Sequence, residues 1–550
     1  MHNESEPRDG FAHKAILFIP LVLAALLFLI GLTRTDLWTP DEPRYALVAR
    51  EMLDRGSILQ PYCNGQPYTE KPPLFFWLIM LGAKVFGGVN QLAVRLPSVL
   101  SALGTIALLI AFVRQFVGRK AAAWSAAALA LSPLFFWLAR SGHIDMLLTF
   151  LVTAGLVSFY RWHVGGRWGY LVIFYASLAF GTLAKGPVGL VLPLLVAAVF
   201  LLLKRKARDL LRMRPYVGLP LVIAAVLAWY LPASAHSAGY GAGNVVGRQI
   251  VERVFTAGHH SVGLWMWPFA AAISLAWGMA PWSLLVPFAA IMIWRQRRTD
   301  DARFFMLAWA MAILGFFTVI SSKRELYLLP MLPACAAIAG TWLAEESEKR
   351  VAMLRWMVIV LGIAAAVAAA VGMAAGPPVL HKHFPEVEWP RFLSVLLGAG
   401  VGAGGGLVAF AVAMRSGERI AAAGSAVLAI ALAATALFVL PWIDQSKTPR
   451  HLCETYQSLR TDDSRLGMLG ANKAREEFVF YSHTQIELVR SAAELDAFFI
   501  SPARRFCFAS REEFDKISGA LKSTFYITAE HRVSSQVMLL LCNQNVGPRH

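Results

Sequence analysis

Along the chain, long stretches that are apolar on every face alternate with short polar interruptions. Ala15 to Leu32, Val188 to Leu203 and Trp356 to Ala375 are three such stretches. Each is close to the ~20 residues that carry a helix across a bilayer core. Read along the whole chain, this pattern predicts thirteen spans, near 15–33, 96–117, 121–139, 144–162, 168–184, 187–203, 216–233, 269–294, 303–321, 326–344, 356–375, 391–414 and 420–441. The first block follows Lys14 and has no small-x-small cleavage pattern after it, so it reads as a span and not a cleaved leader.

One apolar stretch, 72–87, stands apart. It is short, opens with Pro72 and Pro73, and carries Lys84. Charge decides where it lies. The basic clusters are Arg114/Arg119/Lys120, Arg161/Arg167, Lys204 to Arg214, Arg295/Arg297/Arg298, Lys349/Arg350 and Arg415/Arg419. If 72–87 does not cross, all of them share one side with the N-terminus; if it crosses, they face outward. Lys and Arg collect in cytoplasmic loops, so 72–87 is predicted as an interfacial helix lying on the membrane. The exported surface then comprises the loops 34–95 and 234–268 and everything after about 445.

After residue 444 the pattern changes. The segment 445–550 is polar, with β-like runs at Phe478–Tyr481, Phe506–Phe508 and Gln536–Leu541 and helical patterns at Ala492–Phe499 and Arg511–Leu521. The prediction is an all-α polytopic membrane domain over 1–444 and a small soluble α/β domain over 445–550.

Composition agrees: 57% of the 550 residues are hydrophobic and only 15% charged, too little polar surface for a soluble fold of this size. The net charge of +17 belongs to the cytoplasmic loops and argues for membrane lipids, not nucleic acid, as partners. Cys63, Cys335, Cys453, Cys507 and Cys542 lack metal-type spacing; one disulfide among the last three is an expectation if that region is exported.

The candidate chemistry sits in the predicted exported turns. In Leu37-Trp38-Thr39-Pro40-Asp41-Glu42-Pro43-Arg44-Tyr45 a helix is expected to begin, with Asp41 as N-cap and Gly56 as its stop. Asp41, Arg44 and Tyr45 then lie together just outside the membrane. A carboxylate beside a guanidinium can hold a sugar's amino or hydroxyl group while the guanidinium grips a phosphate. Taken alone, the same residues describe a helix cap with a local ion pair. Glu70-Lys71-Pro72-Pro73 leads into the interfacial helix, where Lys71 is a phosphate contact or a snorkelling lysine. Asp145, Lys185, and Lys323 with Tyr327 occupy three further outer turns. Each alone is an ordinary loop residue; together they put acids and bases around one cavity. Arg248 and Arg253 in the second large loop are candidate phosphate contacts or part of a solvated face. His259 and His260, with Glu70 or Asp41, are candidate ligands for a divalent metal such as zinc, although adjacent histidines diverge in regular structure.

Asp41-Glu42, Arg44-Tyr45-Ala46, Arg50-Glu51-Met52, Glu70-Lys71-Pro72, Asp145 and Lys185-Gly186 together resemble the protein mannosyltransferase-like family of GT-C-fold membrane glycosyltransferases, most strongly from Leu37 to Trp77. Within it, the match is best to the branch that modifies lipid A. The resemblance implies transfer of 4-amino-4-deoxy-L-arabinose from undecaprenyl phosphate to a lipid A phosphate at the periplasmic face, and with it resistance to cationic peptides such as polymyxin. It makes Asp41 the essential acid of the first loop, Lys71 and Arg44 contacts of the carrier phosphate, and Asp145 a second acid near the site. A related transferase using another sugar or acceptor, and a transporter of lipid-linked sugars, are the alternatives. Transporters concentrate charge at mid-bilayer in broken, repeated helices, whereas here the charges cluster in loops and no repeat is visible.

Overall fold

The apolar stretches become helices. A computed structural model describes residues 11–236, 267–320, 324–345, 347–383, 389–470 and 475–546. Among these, eight helices are long and apolar enough to cross a membrane, or nine if the bent pair Arg119–Ala130 and Pro133–Arg140 is one span. The other predicted spans fall on shorter or less apolar helices: Phe11–Leu29, Trp168–Lys185, Val188–Leu203, and the pair Trp267–Gly278 and Val286–Arg295. The protein is thus a multi-pass membrane protein.

Two predicted spans are broken, each beside a proline. The first bends by 66° between Ala130 and Pro133. The second stops at Gly278, makes a short 3₁₀ turn at Trp282–Leu284 after Pro281, and resumes at Val286. Proline lacks the N–H that would continue the helical ladder and disfavours helical geometry in the residue before it.

The helices divide into a core and a rim. Ile144–Gly165 and Glu325–Ala344 are 83% and 94% buried over their apolar windows, whereas the helices within 348–381, 391–413 and 417–444 are at most 17% buried. The last three face outward and hold their own polar backbone groups in helical bonds, as lipid contact demands. Ion pairs gather at the ends of the core helices. At one end Lys204 pairs with Asp301 and donates to the Arg297 carbonyl (3.0 Å), and Arg303 and Arg350 each reach Glu345 at 2.7 Å. At the other end lies the first loop.

In that loop, helix Leu74–Phe86 is amphipathic in use: Phe75, Phe76, Ile79 and Met80 are buried against the protein, while Leu81 and Val85 are exposed. Its end is set by Gly87 in the left-handed region at φ 73°.

The chain after Arg450 builds a five-stranded sheet in the order Ile486–Val489, Arg465–Leu469, Arg505–Ser510, Gln536–Cys542, Tyr526–Val533. The first three strands are parallel and the last two antiparallel to their neighbours. Helices Ala492–Phe499 and Arg511–Ser518 match the helical patterns of the sequence. Phe478–Tyr481 does not form the strand expected of it: it belongs to helix Glu476–Ser482. Its apolar run is short enough to suit either structure, and two acids at the first turn favour helix.

The expected disulfide is absent, and Cys453, Cys507 and Cys542 are each unpaired and buried. In the strand register Cys507 faces Leu541, and Cys542 faces Phe506. Alternate residues point to opposite sheet faces, so Cys507 and Cys542 enter different cores, one with Leu495 and Phe514 and the other with Tyr456 and Phe478.

Candidate functional site

Helix Asp41–Asp54 starts on Asp41 itself. Pro40 occupies the cap position, with no side-chain cap bond. Asp41 is therefore not the N-cap expected from the sequence. Its carboxylate is turned instead toward a cluster of polar groups, and the residue is only 5% exposed. Tyr45 Oη donates to Oδ1 at 3.4 Å, Arg324 Nη2 donates to Oδ2 at 3.3 Å, Arg44 Nη1 stands 3.8 Å from Oδ1, and His143 Nδ1 stands 3.9 Å from Oδ2. Burial alone pushes this carboxyl group up. His143, Arg324 and Arg44 oppose it and hold the pKa below the ordinary aspartate value. Asp41 is thus a buried anion set among basic groups. Burial, seconded by the charge of Asp41, pushes the Tyr45 phenol well above its usual value, so it stays a neutral donor.

The neighbouring acid has a different job. Glu42 accepts from Arg95 Nε at 2.8 Å and Nη2 at 3.0 Å, from the Trp38 N–H at 2.9 Å and from the Gly142 N–H at 2.8 Å. Arg95 in turn donates to the carbonyls of Leu32 (2.6 Å), Thr35 (3.0 Å) and Asp36 (2.6 Å). This bidentate pair ties the first loop to helix Gln91–Phe116 and to the turn before Ile144. It fixes where Asp41 points and where His143 stands.

Three further elements bring the other charges. Asp145 opens helix Ile144–Gly165, and Lys185 closes helix Trp168–Lys185. The helices run antiparallel, so the acid and the base meet at one end of the bundle and form an ion pair. The Lys185 ammonium lies 4.8 Å from the centre of the Tyr327 ring, a cation–π contact. Arg324 begins the 3₁₀ turn that carries Tyr327 and reaches Asp41 from there, with Asp145 also adding to its positive character. Asp41, Arg44, Tyr45, Asp145, Lys185 and Tyr327 thus share one polar cluster.

Arg44 is held from outside the membrane part. Its Nε donates to Glu476 Oε1 at 3.0 Å, and Glu476 opens a helix 432 residues further along the chain. Glu70 is exposed and lies near enough to Arg44 and Tyr68 to act on both electrostatically. Lys71 is half-buried on the approach to helix Leu74–Phe86.

Arg248, Arg253, His259, His260 and Lys323 lie outside the described residues. Among the described residues no group of three or more His, Cys, Asp or Glu side chains has the arrangement of a metal site. Three members of the cluster were not singled out from the sequence. Arg324 is next to Lys323 in the same charged turn, and His143 precedes Asp145 by two residues, so a local signal existed for both. Glu476 had none.

Chemically, such a cluster can stabilise an anionic leaving group with its bases while its carboxylates orient a cationic or polyhydroxylic group. The model of the dolichyl-phosphate-mannose-protein mannosyltransferase family matches residues 70–231. The undecaprenyl phosphate-alpha-4-amino-4-deoxy-L-arabinose arabinosyl transferase of Pseudomonas aeruginosa is 30% identical over 456 residues, covering 78% of this chain and 80% of that protein. The protein of the same name from Aeromonas salmonicida is 27% identical over 542 residues, 95% of this chain and 93% of that one. Among solved structures, ArnT from Cupriavidus metallidurans bound to undecaprenyl phosphate superposes with a TM-score of 0.81 at 20% identity, over 98% of this chain and 100% of that one. An archaeal oligosaccharyltransferase, AglB from Archaeoglobus fulgidus, follows at a TM-score of 0.52 and 13% identity, over 91% and 69%. The fold is that of the GT-C glycosyltransferases, with a small α/β domain at the C-terminus.

Proposed function

The chain belongs to the family of undecaprenyl phosphate-alpha-4-amino-4-deoxy-L-arabinose arabinosyl transferases, which are membrane glycosyltransferases, and from this we propose that it moves 4-amino-4-deoxy-L-arabinose from undecaprenyl phosphate to a phosphate of lipid A at the periplasmic face of the inner membrane. The observation that carries the proposal is the setting of Asp41. A carboxylate held ionised by Arg324, Arg44 and His143 is a poor proton acceptor. A hydroxyl acceptor needs a general base near neutral pH, whereas a phosphate acceptor arrives already ionised. Asp41 is therefore assigned to orienting the donor, through the cationic amino group of the sugar.

In the proposed step an acceptor phosphate oxygen attacks C1 of the sugar. The bond from C1 to the carrier phosphate breaks, and its electron pair leaves with undecaprenyl phosphate. No proton is transferred, and single displacement inverts C1. Arg44, Lys71 and Lys185 are assigned to the charge that builds on the leaving phosphate, and Asp145 holds Lys185 for that role. Arg248, Arg253, Lys323 and Tyr327 are proposed to extend the substrate contacts. Where the acidic groups approach an oxocarbenium-like transition state, their charge stabilises it.

The outcome for bacteria is the masking of lipid A phosphates, hence resistance to cationic peptides. The test is direct: purified protein, undecaprenyl-phosphate-linked aminoarabinose and lipid A are incubated in detergent, and lipid A is weighed by mass spectrometry. The expected product carries one added aminoarabinose on phosphate. An active enzyme that leaves lipid A unchanged but glycosylates another acceptor would refute this acceptor, and use of a different donor sugar would refute this donor.

A further inference from the structure

The C-terminal domain is not an independent appendage, and one of its side chains enters the polar cluster. Glu476 and Glu477 are adjacent and both buried, at 9% and 4% exposure, yet they serve different partners. Glu477 takes Arg475, in a bridge of 2.7 Å. Glu476 takes Arg44, in a bridge of 3.0 Å between groups that are each mostly shielded from water. Arg44 is itself 3.8 Å from Asp41 on its Nη1 side. The guanidinium is thus held between an acid of its own helix and an acid of the distant domain.

Glu476 is one of many contacts that hold the domain in place. Tyr481 Oη accepts from the Leu37 N–H at 2.8 Å, and Arg50 donates to the carbonyls of Phe480 (2.7 Å) and Val479 (3.1 Å). Asn64 exchanges two bonds of 3.0 Å with the backbone of Ile486, and Arg450 reaches Asp36 at 2.9 Å. Beneath these bonds lies one apolar core to which both parts contribute, including Tyr45, Phe75 and Phe76 from the first loop and Phe478, Phe506 and Phe508 from the domain. Against so many anchors, a buried carboxylate aimed at the one arginine assigned to the carrier phosphate has another use.

We propose that Glu476 is a positioning residue for sugar transfer: it fixes the Arg44 guanidinium in the orientation that receives the donor phosphate, so that the C-terminal domain completes the donor site. The inference rests on the function proposed above. An arginine fixed beforehand loses less freedom when it binds an anion than one that must be ordered by the ligand. Arg44 is assigned to the carrier phosphate, so the effect of Glu476 is expected on the donor.

The test uses the full-length enzyme with undecaprenyl-phosphate-linked aminoarabinose as the varied substrate. Glu476→Ala is expected to raise the donor KM about tenfold or more, the size of one lost charge-assisted hydrogen bond, and to lower kcat as well, because Arg44 is also assigned to the charge that builds on the leaving phosphate, with the acceptor KM nearly unchanged. Glu476→Gln, which keeps an acceptor oxygen but no charge, is expected to fall between. In the background of Arg44→Ala, adding Glu476→Ala should change the donor KM no further, because residues acting through one another are not additive. Arg450→Ala, which loosens domain docking elsewhere, should leave the donor KM alone. An active wild type whose donor KM is the same in Glu476→Ala would overturn the inference. So would full additivity with Arg44→Ala, or an equal rise in Arg450→Ala, which would reduce Glu476 to a docking contact. An inactive wild type with this donor would instead refute the proposed function, and that result precedes any variant.

Discussion

At the scale of single residues, Asp41 and Glu42 are adjacent carboxylates in different settings, one facing the polar cluster and the other tied into the architecture. The Asp41 carboxylate faces Tyr45 and three basic groups, all of them through side chains. Glu42 ties together Arg95, Trp38 and Gly142. Asp41→Asn is expected to lower kcat about 100-fold or more while the protein melts nearly as the wild type does. Glu42→Ala is expected to cost about 3–5 kcal/mol, because it strands a buried arginine, and to appear as a lowered melting temperature before any kinetic effect. The folded-state pKa of Asp41 is depressed, so its anionic form persists through the ordinary carboxylate range and is lost only as pH falls through the lowered value. The activity ratio of wild type to Asp41→Asn should therefore stay flat between about pH 5 and 8; a ratio that climbs within that window would mean that Asp41 titrates there as a base. Of this pair only the candidate chemistry was legible in the sequence. Asp41, Arg44 and Tyr45 lie within one helical turn, so spacing alone groups them. Glu42 meets Arg95 across 53 positions, and no local pattern announces such a pairing.

Among elements, apolar run length was a good guide to where helices lie and a poor one to where they break. Pro133 and Pro281 mark both breaks, and each could have been weighed against the apolar runs that surround it. Phe478–Tyr481 is helical where a strand is expected, because four apolar residues have no period to read. The close approach of helices Trp168–Lys185 and Val188–Leu203 was also invisible without coordinates. A Cβ on Gly189 would stand 2.1 Å from the carbonyl carbon of Gly181, backbone against backbone, so only glycine fits there. Lys185 ends the first of these helices, four residues before Gly189. Gly189→Ala is expected to destabilise the fold by about 1–3 kcal/mol through overpacking and to lower transfer by moving Lys185 off Asp145. Thermal melting and kcat measured on the same preparation check both effects, and a variant that loses neither would show that the turn can yield.

Over the whole molecule, the first loop and the C-terminal domain share one hydrophobic core, in which Tyr45 and Phe76 lie with Phe478 and Phe508. A chain cut after Asp444 would leave that surface bare and remove Glu476, one of the two acids that hold Arg44. It is expected to lose transfer altogether and to melt or aggregate at lower temperature in detergent, which activity assay and size-exclusion chromatography check; a truncated chain that still transfers sugar would make the domain dispensable. Sequence patterning placed a polar α/β segment after the last span but gave no sign that it folds onto residues near the start. Contacts of that kind rest on complementary shape across hundreds of residues and leave no periodic trace.

That shared core also sets an order of events during synthesis. Asp36 and Leu37 leave the ribosome more than 400 residues before Asp444 and Tyr481, their hydrogen-bonding partners. A growing chain inserted helix by helix thus lacks the partners of its first loop until its last segment is made. The first loop reaches its final packing only at the close of translation, and a half-made copy lacks the pair between Arg44 and Glu476.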